Sequence, residues 1–424
     1  MRSPTVVAAS FASLLVFAAA CEPPPPETPQ VVPVPTVSAS ASAGPATPSK
    51  PVTKVDMAAV GLEAEAMDKS IDPCTDFYQY ACGNWMVKNP VPADRPINSR
   101  SFVSITNRNE EALRAILEDA VKAKRGEDPI ADQIGPYYQT CMDEAAVEKA
   151  GLTGIKPLLD AVKKVKDAKT LSVALAELHR RKIWAVFQIA EEQDFKDATK
   201  MLAQLDQAGL GLPDRDYYVK EDDKSKQHRA TYLDHVEKML ALGGLSTKDA
   251  KTAAAEIMAL ETELAKVSKT RTERRDPDKM YNKLNREGVE KAVPGLRWAD
   301  YFKTLGFADV SDINVTAPAF FEGFEKLIQS TKPALWKNYL TWHILRASAP
   351  HLPKVFDQES FRLEAAISGQ KEQRARWKRC VAATDQALGE VLAQPYVKKI
   401  LYPRLQRSHR KIRCRGRQSV WRRG

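Results

Sequence analysis

From about Asp56 onward, apolar residues recur every three or four positions with charged residues between them, the period of amphipathic helices. Leu113, Ile116, Leu117, Ala120 and Val121 fall on one face of a segment that Thr106 or Asn107 is placed to cap. Ala253, Ile257, Leu260, Leu264 and Val267 mark a second long helix, with charges opposite. The same pattern predicts helices near 130–148, 169–182, 224–242, 317–330, 334–348, 357–370 and 379–393. One region departs from it. "KIWAVFQIAEEQD" and "KMLAQLDQAG" look like two short strands, a small hairpin or sheet edge. Pro213-Asp214 and Pro277-Asp278 mark loops, and there is no internal repeat. The expected fold is mainly α, a large multi-helix domain with a small β hairpin or sheet.

Both ends of the chain fall outside this pattern. Arg2 and the apolar run Val6 to Ala20 have the form of an export signal, too short to span a bilayer. The run leads into Ala18-Ala19-Ala20-Cys21, which resembles a bacterial lipobox with Ala18 where leucine is usual. Residues 1–20 are thus expected to be a lipoprotein-type signal peptide, with Cys21 lipidated and holding the chain to a membrane in the periplasm or at the cell surface. Residues 21–55 are rich in Pro, Ala, Ser and Thr, a composition that reads as a disordered tether. The folded part is expected at 56–399.

Charge changes the picture only at the other end. Of the formal +10, the last 25 residues (400–424) supply +9, because they hold nine Arg or Lys and no acid. The rest stands near neutrality, at +1, so a basic binding face spread over the fold is excluded and no nucleic-acid partner is expected.

Chemistry is sparse. The six histidines are His179, His228, His235, His343, His351 and His409, and none lies in H-E-x-x-H, the helical spacing that turns two imidazoles and a carboxylate toward a zinc ion. His228 and His235 are seven apart on one predicted helix and read as an exposed pair rather than a metal site. Cys74 and Cys82 are too far apart for C-x-x-C, and no phosphate-binding glycine loop or G-x-S-x-G occurs. The aromatic stretch Asp76 to Tyr80 reads as core packing, and Asp214, Arg215 and Asp216 as a structural loop cluster.

A resemblance supplies what the residues alone do not. "IDPCTDFYQYACGNWMVKNPVPADRPINSR" (Ile71 to Arg100) is similar to the start of the ectodomain in the neprilysin and endothelin-converting-enzyme family of zinc metallopeptidases. "YYQTCMDEAAVEKAG", "QAGLGLPDRDYY", "RRDPDKMYNK", "NYLTWHILRASAPHL" and "SGQKEQRARWKRCV" follow in the family's order, so the resemblance covers about Asp56 to Lys399. It implies a helical cap domain that covers a catalytic cleft, peptide substrates and a zinc cofactor in the intact family. It also implies a disulfide between Cys141 and Cys380, and a role for Arg100 in binding the free C-terminal carboxylate of a peptide; Arg108 is a weaker candidate. Cys74 and Cys82 match family cysteines whose partners lie in the catalytic half, which leaves them to pair with each other, stay free or couple to Cys414.

The family's H-E-x-x-H, E-x-x-x-D and N-A-[FY]-Y segments lie beyond R-W-x-x-C and do not occur in this sequence. The expectation is an N-terminal, cap-rich portion with no catalytic residue and no metal ligand of its own, so its status as an enzyme stays open. The alternative is a non-catalytic, peptide-binding lipoprotein outside the cytoplasm. The basic tail fits an out-of-frame reading. With suitable synonymous codons, Ile400 to His409 read one base later becomes YFTPASKDR, which continues the family pattern.

Overall fold

The computed structural model describes residues 63–99 and 102–401. Several helices start where the sequence offers an acceptor for their unpaired N–H groups. α1 (Phe77–Lys88) is capped by Asp76, whose side chain accepts from the Gln79 N–H. α2 (Phe102–Lys122) and α3 (Ala131–Met142) follow. Asp143 then ends α3 and caps α4 (Glu144–Ala150) through the Ala146 N–H, so the single helix expected over 130–148 is two. α5 (Lys156–Lys163) leads to α6 (Ala168–His179), opened by a capping box of Asp167 and Thr170. Thr106 and Asn107 do not cap α2, which begins at Phe102 and contains both. They are exposed there, and a polar residue on the wet face of a helix looks the same in sequence as a cap.

The expected hairpin is present as β1 (Phe187–Asp194) and β2 (Asp197–Gln207), antiparallel, with a register shift at Gln193/Asp194. The chain continues through α7 (Asp216–Val219), α8 (Asp223–Leu242), α9 (Thr247–Val267) and α10 (Pro277–Met280). Next come β3 (Lys283–Leu284), α11 (Arg286–Ala292), α12 (Trp298–Leu305) and β4 (Ile313–Val315). β4 runs parallel to β2 and antiparallel to β3, which makes a mixed four-stranded sheet in the order β1-β2-β4-β3. α13 (Pro318–Ser330), α14 (Pro333–Ser348), α15 (Lys354–Ser368) and α16 (Arg376–Tyr396) complete the helices.

The main core forms where the sheet meets the helices. Phe187, at the start of β1, is ringed by Trp298, Tyr301, Phe321 and Phe324 at centroid distances of 5.5 to 5.9 Å. All five side chains are fully or almost fully buried. A second, smaller core joins α2, α3 and α16 through Ile116, Leu117, Ile134, Tyr138, Val381 and Leu392, around Cys380. Helices from opposite ends of the sequence therefore pack together.

Candidate functional site

Arg100 and Cys21 lie outside the described residues. The segment that leads to Arg100 is nevertheless firmly placed. Asn98 donates its side-chain amide to the Asn89 and Pro90 carbonyls, at 3.1 and 3.2 Å. Arg95 pairs with Glu110 of α2 at 3.3 Å, and Glu110 also takes Arg374 at 2.5 Å. Lys378 of α16 reaches Asp94 at 2.6 Å, and the N–H groups of Lys371 and Glu372 both donate to the Ala93 carbonyl. Residues 89–99 are thus anchored by α2 and by the start of α16. Arg108 is exposed on α2.

α16 is in turn tied covalently to α3. Cys141, at the end of α3, is bonded to Cys380 in α16 across 239 residues, with Cα atoms 5.7 Å apart. Arg376 donates to the Cys141 carbonyl through Nε and Nη2, at 2.9 and 2.6 Å. Cys74 and Cys82 are free, the first exposed and the second partly buried; Cys414 lies outside the described residues. α1 contradicts the expectation of core packing for Asp76 to Tyr80. Phe77 and Tyr78 are 68% and 67% exposed, and Val87, Val91 and Ile97 are exposed nearby in sequence. Its aromatic residues have no core to enter within this stretch of chain, and sequence alone does not say which apolar face is covered.

The G-L-G-L-P loop is held by tyrosines. Val186, at a φ of 64°, donates its N–H to Tyr339 Oη at 3.0 Å, and Tyr339 Oη donates to the Gly209 carbonyl at 2.8 Å. Gly209 has a φ of 80°, and a Cβ there would collide with Val186 backbone and the Tyr339 hydroxyl. A Cβ on Gly211 would collide with Tyr232. Beneath the loop lies Glu261 of α9, fully buried. Tyr218 donates to it at 2.6 Å, Tyr232 at 2.8 Å and the Gly211 N–H at 3.2 Å. Burial raises its carboxyl to about 7, against the opposing pull of these hydroxyls, the Arg346 charge and the Gly211 N–H. His343 Nε2 stands 3.9 Å from Glu261 Oε1 with no hydrogen-bond partner, and burial, helped by the Arg346 charge, holds that imidazole neutral at about 3.

Asp214, Arg215 and Asp216 hold the turn into α7. Asp214 accepts from the Asp216 N–H at 2.8 Å, Arg215 Nε donates to the Ala265 carbonyl at 3.1 Å, and Asp216 bridges to Lys220 at 2.9 Å. His228 and His235 are not the exposed pair expected, for both are buried on α8. His235 pairs with Glu359 at 2.8 Å, and His228 lies against the Tyr217 ring. The face of α8 that carries them is covered by α15 and by α7, which the helical period alone cannot show. Among the described residues, no group of three or more His, Cys, Asp or Glu is placed to hold a metal ion.

This helical domain over a small mixed sheet has the fold of part of a solved zinc metalloprotease. The chain belongs to peptidase family M13, whose sequence profile matches residues 73–409. It is 28% identical over 360 residues to an endothelin-converting enzyme homolog of Locusta migratoria, which covers 79% of this chain and 48% of that protein. Endothelin-converting enzyme 1 of Bos taurus is 28% identical over 372 residues, covering 83% of this chain and 48% of that one. The inhibitor complex of the zinc metalloprotease ZMP1 of Mycobacterium tuberculosis superposes with a TM-score of 0.75 at 29% identity, covering 80% of this chain and 52% of that one. The chain spans about half the length of the curated relatives it matches.

Proposed function

We propose that this chain is the N-terminal, substrate-covering portion of a zinc metalloendopeptidase that acts on oligopeptides, held at a membrane by a lipidated Cys21. The observation that carries the reading is the superposition on a zinc metalloprotease at 29% identity over 80% of this chain and 52% of the other. The uncovered apolar side chains of α1, with free Cys74 and Cys82 beside them, support it, since such a face suits packing against a further part of the fold. Zinc is the family's metal, but the described residues offer no set of ligands for it, and no catalytic step is derived from them.

In this reading Arg100 receives the substrate's C-terminal carboxylate, because a planar guanidinium donates two parallel N–H bonds to it. Peptidolysis needs an H-E-x-x-H and an E-x-x-x-D that residues 1–424 do not contain. The basic run from Ile400 is taken in this reading as out of frame, on its composition and the absence of acids; the family match itself runs on to residue 409.

The nucleotide sequence across the Lys399 codon and downstream tests this. A one-base correction that opens a frame with both motifs is the expected result. An intact frame with neither motif downstream overturns it in favour of a non-catalytic lipoprotein. In the enzyme so completed, Arg100→Gln raises KM for peptides with a free C-terminus by roughly tenfold or more, as expected for a lost charge-assisted pair, and leaves amidated peptides unchanged.

A further inference from the structure

The G-L-G-L-P loop also walls a cavity of about 250 Å³ that the peptidase reading does not use. Five basic side chains line it: Arg215, Lys269, Arg271, Arg274 and Arg346. Two acids, Asp214 and Asp216, share the lining. The cations come from the turn before α7, the segment between α9 and α10, and α14, so the basic stretch "KTRTERR" (269–275) supplies three of them and the fold brings in Arg215 and Arg346.

Two of the five are neutralised. Arg274 pairs with buried Asp206, which also accepts from the Thr316 hydroxyl at 2.5 Å and the Gln207 N–H at 2.9 Å. Arg271 pairs with Asp214. The other three cations are held by carbonyl oxygens. Arg215 Nε donates to Ala265 O, Lys269 Nζ to Lys279 O and Arg346 Nη1 to Leu210 O. Among the described residues the nearest carboxylate to any of them in an ion pair is Asp216, 3.8 Å from Arg215 and already bridged to Lys220. Neighbouring Glu273 is turned to the Thr270 N–H and hydroxyl, both at 2.8 Å. A carbonyl orients a cationic group without cancelling its charge, and it leaves further N–H donors for another acceptor.

We infer that this cavity is an oxyanion site, taking one phosphate or carboxylate group on Arg215, Lys269 and Arg346. The group arrives on a free inorganic oxyanion or on an acidic side chain of a peptide, and both present the same chemistry to the site. The inference stands independently of the peptidase proposal.

Titration calorimetry of the full chain with inorganic phosphate, and separately with a terminally blocked tri-glutamate peptide, tests it. The blocked peptide has no C-terminal carboxylate for Arg100. The variant carrying both Lys269→Gln and Arg346→Gln is expected to lose affinity by roughly tenfold or more, as two charge-assisted contacts go. Lys326→Gln, which removes one charge at an exposed position on α13, is expected to bind unchanged. Arg271→Gln is the second variant, because its side chain is 68% exposed and its loss leaves Asp214 unopposed; it also weakens binding. Binding of phosphate with this pattern assigns a free oxyanion, and binding of the peptide alone assigns an acidic side chain. Absence of binding by both probes, or equal affinity in wild type and the pocket variants, overturns the inference.

Discussion

Glu261 is a carboxylic acid whose proton is set by the fold. With a folded value of about 7 against an ordinary 4.5, the folded chain keeps a proton that the unfolded chain gives up. Stability from this group is complete below about pH 4.5 and is lost as pH rises through about 7, at up to about 1.4 kcal/mol per pH unit. His179 and His343 act in the other direction. Burial holds them neutral at about 4 and about 3, so their contribution is present above 6.5 and lost as pH falls. The Glu261 effect is therefore read as a difference. The urea midpoint of wild type minus that of Glu261→Gln falls with rising pH between about 4.5 and 7; a constant difference contradicts the burial argument. Beside it, Gly211→Ala forces Tyr232 off its hydrogen bonds to Glu261, at a cost of about 1 to 3 kcal/mol by urea unfolding. The G-L-G-L-P motif was legible in the sequence as a family signature. Its physical reason, two glycines pressed against tyrosine hydroxyls from distant helices, depends on α8 and α14 and could not be read locally.

At the scale of elements, long amphipathic helices were legible and short or shared ones were not. α8, α9 and α13 to α16 stand close to where the hydrophobic period put them. β3 and β4, of two and three residues, are too short to show any alternation; β4 adds to the free edge of β2, and β3 to the edge of β4. α1 misled in another way, since Phe77 and Tyr78 at its start are aromatic but exposed. Native thiol labelling of the described cysteines follows this geometry: Cys74 reacts before Cys82, and the Cys141–Cys380 pair only after reduction. A chain in which Cys82 labels before Cys74 contradicts the placement of α1. The bridge between α3 and α16 closes a loop of 239 residues, worth about 5 kcal/mol in the chain-entropy account. Reduction should lower the urea midpoint of wild type and leave that of a Cys141→Ser, Cys380→Ser variant unchanged.

For the whole molecule, the body outside the last 25 residues is near neutral, which argues against a polyanion-binding face spread over the fold, and the chain matches peptidase family M13. The expected helical domain was legible because several motifs stand in a fixed order along 340 or so residues, which composition and period alone do not supply. The candidate site was less so. Arg100 comes from the resemblance, whereas the Arg95–Glu110–Arg374 anchor and the basic cavity join residues far apart in sequence. Among the described residues no helix is long and apolar enough to cross a membrane. In the proposed function this chain covers substrate for a zinc peptidase and performs no cleavage by itself. The most direct measurement is peptide hydrolysis by the purified 424-residue chain with added zinc, with and without a chelator. No hydrolysis is expected in either condition; cleavage that needs zinc and stops with the chelator overturns the proposed function.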